Sequence, residues 1–187
     1  MTQIETGPFA SWTKPQWDDC FMGIAYLVAM MSPDHNTKHG AVLVGNHKRV
    51  VSLGFNGYPP DCPDGLMPKA RNDKYDVTEH AEANCLNQAH CDTEGMTLYV
   101  TGYPCMKCFR TIACRRIGAV IYDPTIETTC VTEHDYKMIE LMNRQVGSPF
   151  VEMPVKVGLI PFKGNFATCM DRAKEYYCIK QELKAKK

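Results

Sequence analysis

Two short stretches carry the residues best suited to chemistry. They are Thr78-Glu79-His80-Ala81-Glu82-Ala83-Asn84 and, about two dozen residues later, Tyr103-Pro104-Cys105-Met106-Lys107-Cys108. Zinc prefers imidazole and thiolate donors in a tetrahedral set, so His80, Cys105 and Cys108 supply three ligands and leave a fourth position for water. An open position separates a catalytic zinc from a structural one. Glu82, two residues past His80, can stand beside that water rather than on the metal and shuttle its protons. Each part has a bland reading: a Cys-x-x-Cys also occurs as a redox pair, a structural knuckle or a coincidence, and a His-x-Glu means less still. The conjunction is much stronger, because Pro104 directly precedes the first Cys and a strand-like run links the two halves.

The whole chain limits what such a site can serve. At 187 residues it reads as one domain, with no Gly, Ser or Pro linker dividing it. Twenty-one basic residues balance 21 acidic ones, which lacks the broad positive field of a protein that grips a long phosphate backbone. A small phosphorylated substrate needs only one or two cations and stays compatible. Residues 1–8 show neither a basic start nor an apolar run of signal-peptide length, and the apolar passage 24–31 is too short to span a bilayer, so a cytoplasmic protein without a membrane partner is expected. Two of the ten cysteines belong to the metal pattern, and the other eight are expected to be mostly reduced, buried thiols.

The elements that must position the site follow from local pattern. Thr13-Lys14-Pro15 starts a helix running to about residue 31, whose apolar positions cover more than one stripe and predict a well-buried element. Residues 41–44 and 50–55 read as a hairpin around the turn 45–48, and a loop rich in Gly, Pro and Asp reaches from Asn56 nearly to Val77. A helix over 78–90, a strand over 96–101, a helix over 105–114 and a strand over 119–122 follow. Their alternation implies parallel pairing, with both helices presenting their first turns at the sheet edge where open α/β sheets bind ligands. A helix over 133–145 carries the stripe Tyr136, Ile139, Met142 and Val146; a weaker strand over 151–160 and a terminal helix over 166–183 complete the pattern.

With these parts placed, residues 17–146 resemble the zinc-dependent cytidine/deoxycytidylate deaminase superfamily, and within it the deoxycytidylate deaminases. The resemblance rests on Gly54-Phe55-Asn56-Gly57-Tyr58-Pro59, on His80-Ala81-Glu82-Ala83-Asn84 and on residues 99–108; Phe55 stands where the family more often has Tyr. Residues 147–187 lie outside it, as a C-terminal extension of unknown role. The resemblance implies a three-layer α/β/α fold with a central mixed sheet of about five strands and helices on both faces. It further implies hydrolysis of dCMP to dUMP and ammonia, supplying dUMP for thymidylate synthesis.

Read through the family, His80, Cys105 and Cys108 hold one Zn2+ and Glu82 transfers protons. Asn56 reaches the sugar hydroxyl, while Ala81, Pro104 and Tyr122 adjoin the substrate; Tyr122 is equally a candidate core residue. Such enzymes resemble one another in being hexamers activated by dCTP and inhibited by dTTP, with Mg2+ accompanying the effector. Control of that kind would fall on Asn56, Gly57, Asp61 and Asp64. A second, structural zinc is not expected, because His35, His39, Cys62, His90 and Cys91 show no paired spacing.

Three rivals remain: a deaminase of tRNA or single-stranded DNA, which the neutral composition disfavours; a deaminase of another nucleoside or base; and a zinc-stabilised module without catalysis, which would have no need of Glu82.

Overall fold

The computed structural model describes residues 17–145 apart from 67, 69, 124, 125, 127 and 129. A four-stranded sheet forms its centre, in the order β2-β1-β3-β4, from β1 (Gly40–Gly45), β2 (Arg49–Phe55), β3 (Thr97–Val100) and β4 (Ala119–Tyr122). β1 is antiparallel to both β2 and β3, and β3 is parallel to β4, so β2, β3 and β4 all run the same way. The sheet is mixed, as the resemblance implies. It has four strands rather than about five among the described residues, and the segment 151–160 that would supply another lies outside them.

Period-two alternation divides the apolar residues between the two faces of the sheet. Ala41, Leu43, Leu98, Val100, Val120 and Tyr122 point to one face, where they meet α3 (Ala81–Asn87) and α4 (Met106–Cys114). Val42, Val44, Tyr99 and Ile121 point to the other and meet Phe21, Met22 and Ala25 of α1 (Trp17–Ala29). Helices therefore cover both faces. The connections from β2 through α3 to β3, and from β3 through α4 to β4, lie on one side. This brings the starts of α3 and α4 together at the edge where β2, β3 and β4 end.

Four expectations need correction. Residues 56–77 are not a continuous loop, because Arg71–Val77 forms a helix, α2, whose C-cap Thr78 donates its N–H to the Lys74 carbonyl. The next helix begins at Ala81 rather than Thr78, since Gly57 and Glu79 exchange backbone hydrogen bonds and hold Glu79 extended. α1 is buried along one side only, leaving Trp17, Cys20 and Leu27 exposed. In α5 (Glu133–Gln145) only Ile139 of the predicted stripe is fully buried; Tyr136 is 46% exposed and Val146 lies outside the described residues.

The eight described cysteines are all free thiols, but Cys20, Cys91, Cys114 and Cys130 are exposed rather than buried. Cys85 is the expected kind: fully buried, beside the Ser52 hydroxyl at 3.3 Å, with burial pushing its thiol up to about 11.

Glycine at 54 sets how closely α3 lies on β2. A Cβ there would fall 2.4 Å from the Cys85 nitrogen and 2.5 Å from the Ala81 carbonyl oxygen, both rigid backbone atoms. Gly54→Ala must therefore push α3 off the sheet. The expected cost is on the order of 3 kcal/mol, lowering the thermal midpoint by roughly 6–12 °C. Gly65→Ala, with open space around that position, should leave the midpoint in place and serves as the control in the same melting experiment.

Candidate functional site

His80 is the N-cap of α3 and Cys105 the N-cap of α4, both with extended backbone and neither using its side chain to cap its helix. Those side chains turn toward each other instead. The Cys105 and Cys108 Sγ atoms lie 3.5 and 3.3 Å from His80 Nδ1. Zinc–sulfur bonds of about 2.3 Å and zinc–nitrogen bonds of about 2.05 Å at a tetrahedral angle put nitrogen and sulfur about 3.6 Å apart. The two thiol-to-imidazole distances are thus already close to those of a tetrahedral set, and the soft chemistry of the donors fits zinc.

Glu82, in the first turn of α3, is 8% exposed, and one of its carboxylate oxygens groups with His80 and Cys108 within 4.8 Å. Burial pushes its carboxyl above the ordinary range, although its own backbone N–H, His80 and Cys108 pull the other way. Hydrogen bonding from Cys108, and then from Cys130, holds the Cys105 thiol far below its usual value; the two donors are correspondingly raised. His80 is raised, chiefly by its bond to Cys105. Cys105 stands at the N-terminal end of α4, where the helix dipole favours a thiolate.

These groups open into a cleft. Asn56, Ala81 and Glu82 line it, as do residues that the sequence reading gave no catalytic or binding role: His39, Lys74, Thr78, Thr101, Tyr103, Thr128 and Cys130. The signal for several was present, because Thr101, Tyr103, Thr128 and Cys130 follow the ends of β3 and β4 at the ligand edge. Lys74, in the last turn of α2, was hidden by reading that stretch as loop, and Thr78 was read as the first residue of the following helix. The hydroxyls of Thr78 and Thr128 are buried with no hydrogen-bond partner among the described residues, and both belong to this cleft.

Other sequence-predicted residues take different places. Asn56 is a brace: Oδ1 accepts the His39 N–H at 2.7 Å, Nδ2 donates to the Thr37 carbonyl at 2.9 Å, and its own carbonyl accepts the Ser32 hydroxyl. Pro104 is fully buried. Tyr122 belongs to the core, 9% exposed, with its ring edge-on to Tyr103 at 5.1 Å; Tyr103 is the one of the two that lines the cleft. Gly57 is tied to Glu79, Asp61 has φ +66°, and Asp64 lines a neighbouring cleft that shares Asp34 and Lys74 with the first. Of the residues weighed for a second metal, His39 faces the main cleft with Nδ1 3.2 Å from the Thr101 hydroxyl, and burial lowers its imidazole.

A model of the cytidine and deoxycytidylate deaminase zinc-binding region matches residues 15–123. The chain belongs to this family. Within it, 114 residues are 34% identical to the deoxycytidylate deaminase of Homo sapiens, covering 57% of this chain and 64% of that one. A deoxycytidylate deaminase of Mycobacterium phage D29 is 38% identical over 126 residues, 59% of this chain and 96% of that one. The chain thus spans a little under two thirds of the human relative. Among solved structures, the apo dCMP deaminase of cyanophage S-TIM5 superposes with a TM-score of 0.55 at 23% identity, over 70% of this chain and 94% of that one, and shares the fold. No described helix is long and apolar enough to cross a membrane.

One wall of the main cleft is pinned by an ion pair between Lys74 and Asp34, 2.5 Å apart and 12% and 10% exposed. Burial raises the Asp34 carboxyl, but the Lys74 bond and the amides of Asn36 and Thr37 outweigh it and hold it below its usual value. A carboxyl lowered by folding adds stability that is complete above its unfolded value and is lost as pH falls through the lower folded one. Asp34→Asn should therefore be less stable than the wild type at pH 7 and lose less on acidification between about pH 4 and pH 2. Urea midpoints across that range are the measurement.

Proposed function

We propose that the chain catalyses hydrolytic deamination of dCMP to dUMP and ammonia, with His80, Cys105 and Cys108 holding Zn2+ and Glu82 acting as the proton-transfer group. The observation that carries this reading is the approach of both thiols to His80 Nδ1 at 3.3–3.5 Å beside the buried Glu82. When bound, zinc supplies the Lewis acidity that makes water a nucleophile near neutral pH. Glu82 takes a proton from the water that attacks C4 of the base, delivers one to N3, and passes another to the departing amino group. Its burial suits this exchange, since a carboxyl raised above its ordinary range gives up and regains a proton more evenly near neutrality.

The cleft supports a nucleotide as the substrate. Thr78 and Thr128 offer buried hydroxyls that lack partners among the described residues, and a polar ligand would satisfy them. Lys74 is the one Lys or Arg among the described residues lining the cleft, so it is the natural counter-charge for a 5′-phosphate. Asn56 retains a free amide hydrogen and a lone pair for the sugar hydroxyl after bracing the 37–39 segment. The relatives named deoxycytidylate deaminase point the same way. By the same resemblance we infer a cytosolic hexamer controlled by dCTP with Mg2+ and by dTTP. The second cleft, reached by Asp64 and sharing the Asp34–Lys74 pair with the first, is the candidate route for that control, with Gly57 and Asp61 in the same loop.

Glu82→Gln should retain one zinc per chain and lose turnover by at least about a hundredfold, because the carboxylate moves protons without binding metal. Loss of zinc on metal analysis would instead make Glu82 a ligand. On the wild type, ammonia release should favour dCMP over deoxycytidine by at least about a hundredfold in kcat/KM, or roughly 2.7 kcal/mol. Lys74→Ala should erase most of that preference, and Asn56→Ala should weaken dCMP turnover while zinc stays bound. Equal rates on the two substrates would refute the nucleotide assignment; faster turnover on an oligonucleotide would favour a polynucleotide deaminase.

A further inference from the structure

Cys130 lies in the segment that follows β4, with its thiol within 4.8 Å of both the Cys105 sulfur and a His80 ring nitrogen. It is exposed, lines the main cleft, and so stands on the side from which a ligand enters. Nothing in the motif reading uses it: it has no paired spacing, and the matched region ends at residue 123. We propose that Cys130 is a conditional fourth protein ligand of the metal, closing the coordination sphere when the cleft is empty and leaving it when a nucleotide enters. The proposal rests on the assignment of zinc to His80, Cys105 and Cys108.

The chemistry favours this arrangement on two counts. A thiolate is a softer donor than water and competes well for zinc, and one His with three Cys is among the common closed zinc sets. The change is also balanced: Cys130 gives up its thiol proton to solvent and its sulfur replaces the open-position water, with no oxidation. The reverse step returns a proton to the sulfur and the position to water. Zn2+ with two thiolates and a neutral imidazole carries no net charge, and a third thiolate makes it −1. An incoming nucleotide, itself anionic, competes for the space Cys130 occupies and is disfavoured beside that extra charge, so entry of the substrate and departure of the thiolate are linked. In its closed state the centre resembles a structural site, which protects the metal and withholds the open position until the cleft fills.

Zinc X-ray absorption on the zinc-loaded protein provides the test, after metal analysis has established one zinc per chain. Without nucleotide, the wild type should fit three sulfurs and one nitrogen, and Cys130→Ser two sulfurs; saturating dUMP should bring the wild type to two. In parallel, iodoacetamide should label Cys130 at least about fivefold more slowly in the zinc-loaded wild type than after chelation, with dUMP restoring the fast rate, as read by mass spectrometry. Two sulfurs in the nucleotide-free wild type, or labelling indifferent to zinc, overturns the proposal while leaving the deaminase reading intact. A protein that takes up no zinc overturns both, and metal analysis distinguishes that case.

Discussion

The structure depends on two helices beginning at one point, each on a metal-binding type of residue. An N-cap side chain ordinarily satisfies its own helix, yet His80 and Cys105 leave their first-turn amides uncapped and turn to each other. That exchange is tolerable because the orphaned amide ends of α4 then favour the negative charge on Cys105. It also explains why the sheet must be mixed as it is. Only with β2, β3 and β4 running the same way do α3 and α4 start at a common edge, and only glycine at 54 lets α3 lie close enough to β2 to align His80 with Cys105 and Cys108. A buried carboxylate, a thiolate and an imidazole packed this tightly form an expensive cluster in a bare protein. A divalent cation offsets that cost, so metal binding and folding are coupled at this point.

Asn56 ties the cleft wall to the same frame. Its side chain spends one donor and one acceptor on His39 N–H and the Thr37 carbonyl, and its backbone carbonyl receives Ser32. The same residue therefore shapes the wall and faces the cleft. In kinetics these two roles separate, since a distorted wall raises KM for every substrate alike whereas loss of a sugar contact discriminates among substrates by their hydroxyls.

The cluster of His80, Glu82, Cys105 and Cys108 was the most legible part of the sequence, because its chemistry is written in residue type and its spacing is local. The hairpin, β4 and α5 were readable from alternation and turn residues, and their limits agree with the pattern to within a residue or two. What escaped was set by tertiary contact. The Gly57–Glu79 bridge trimmed a helix that propensity would start at Thr78, and α2 was obscured by the Gly- and Pro-rich run before it. Tyr122 and Tyr103 could not be ranked from sequence, since only packing decides which ring fills the core and which faces the cleft. The approach of Cys130 was invisible for a related reason: a residue from a loop beyond β4 carries no fixed spacing to the residues it approaches.

A neutral chain that took an anionic substrate would have to find positive charge locally. Lys74 already has a partner in Asp34, so a phosphate arriving in the cleft would exchange one carboxylate for another anion without burying a new, uncompensated cation. Such an exchange costs less desolvation than exposing and reburying a lone ammonium group, and it keeps the empty cleft stable. Because Asp34 and Lys74 also form the wall of the second cleft, any displacement of their pair by a ligand on one side changes the charge presented on the other. An anion bound in either cleft would therefore alter the field in the other through this single ion pair.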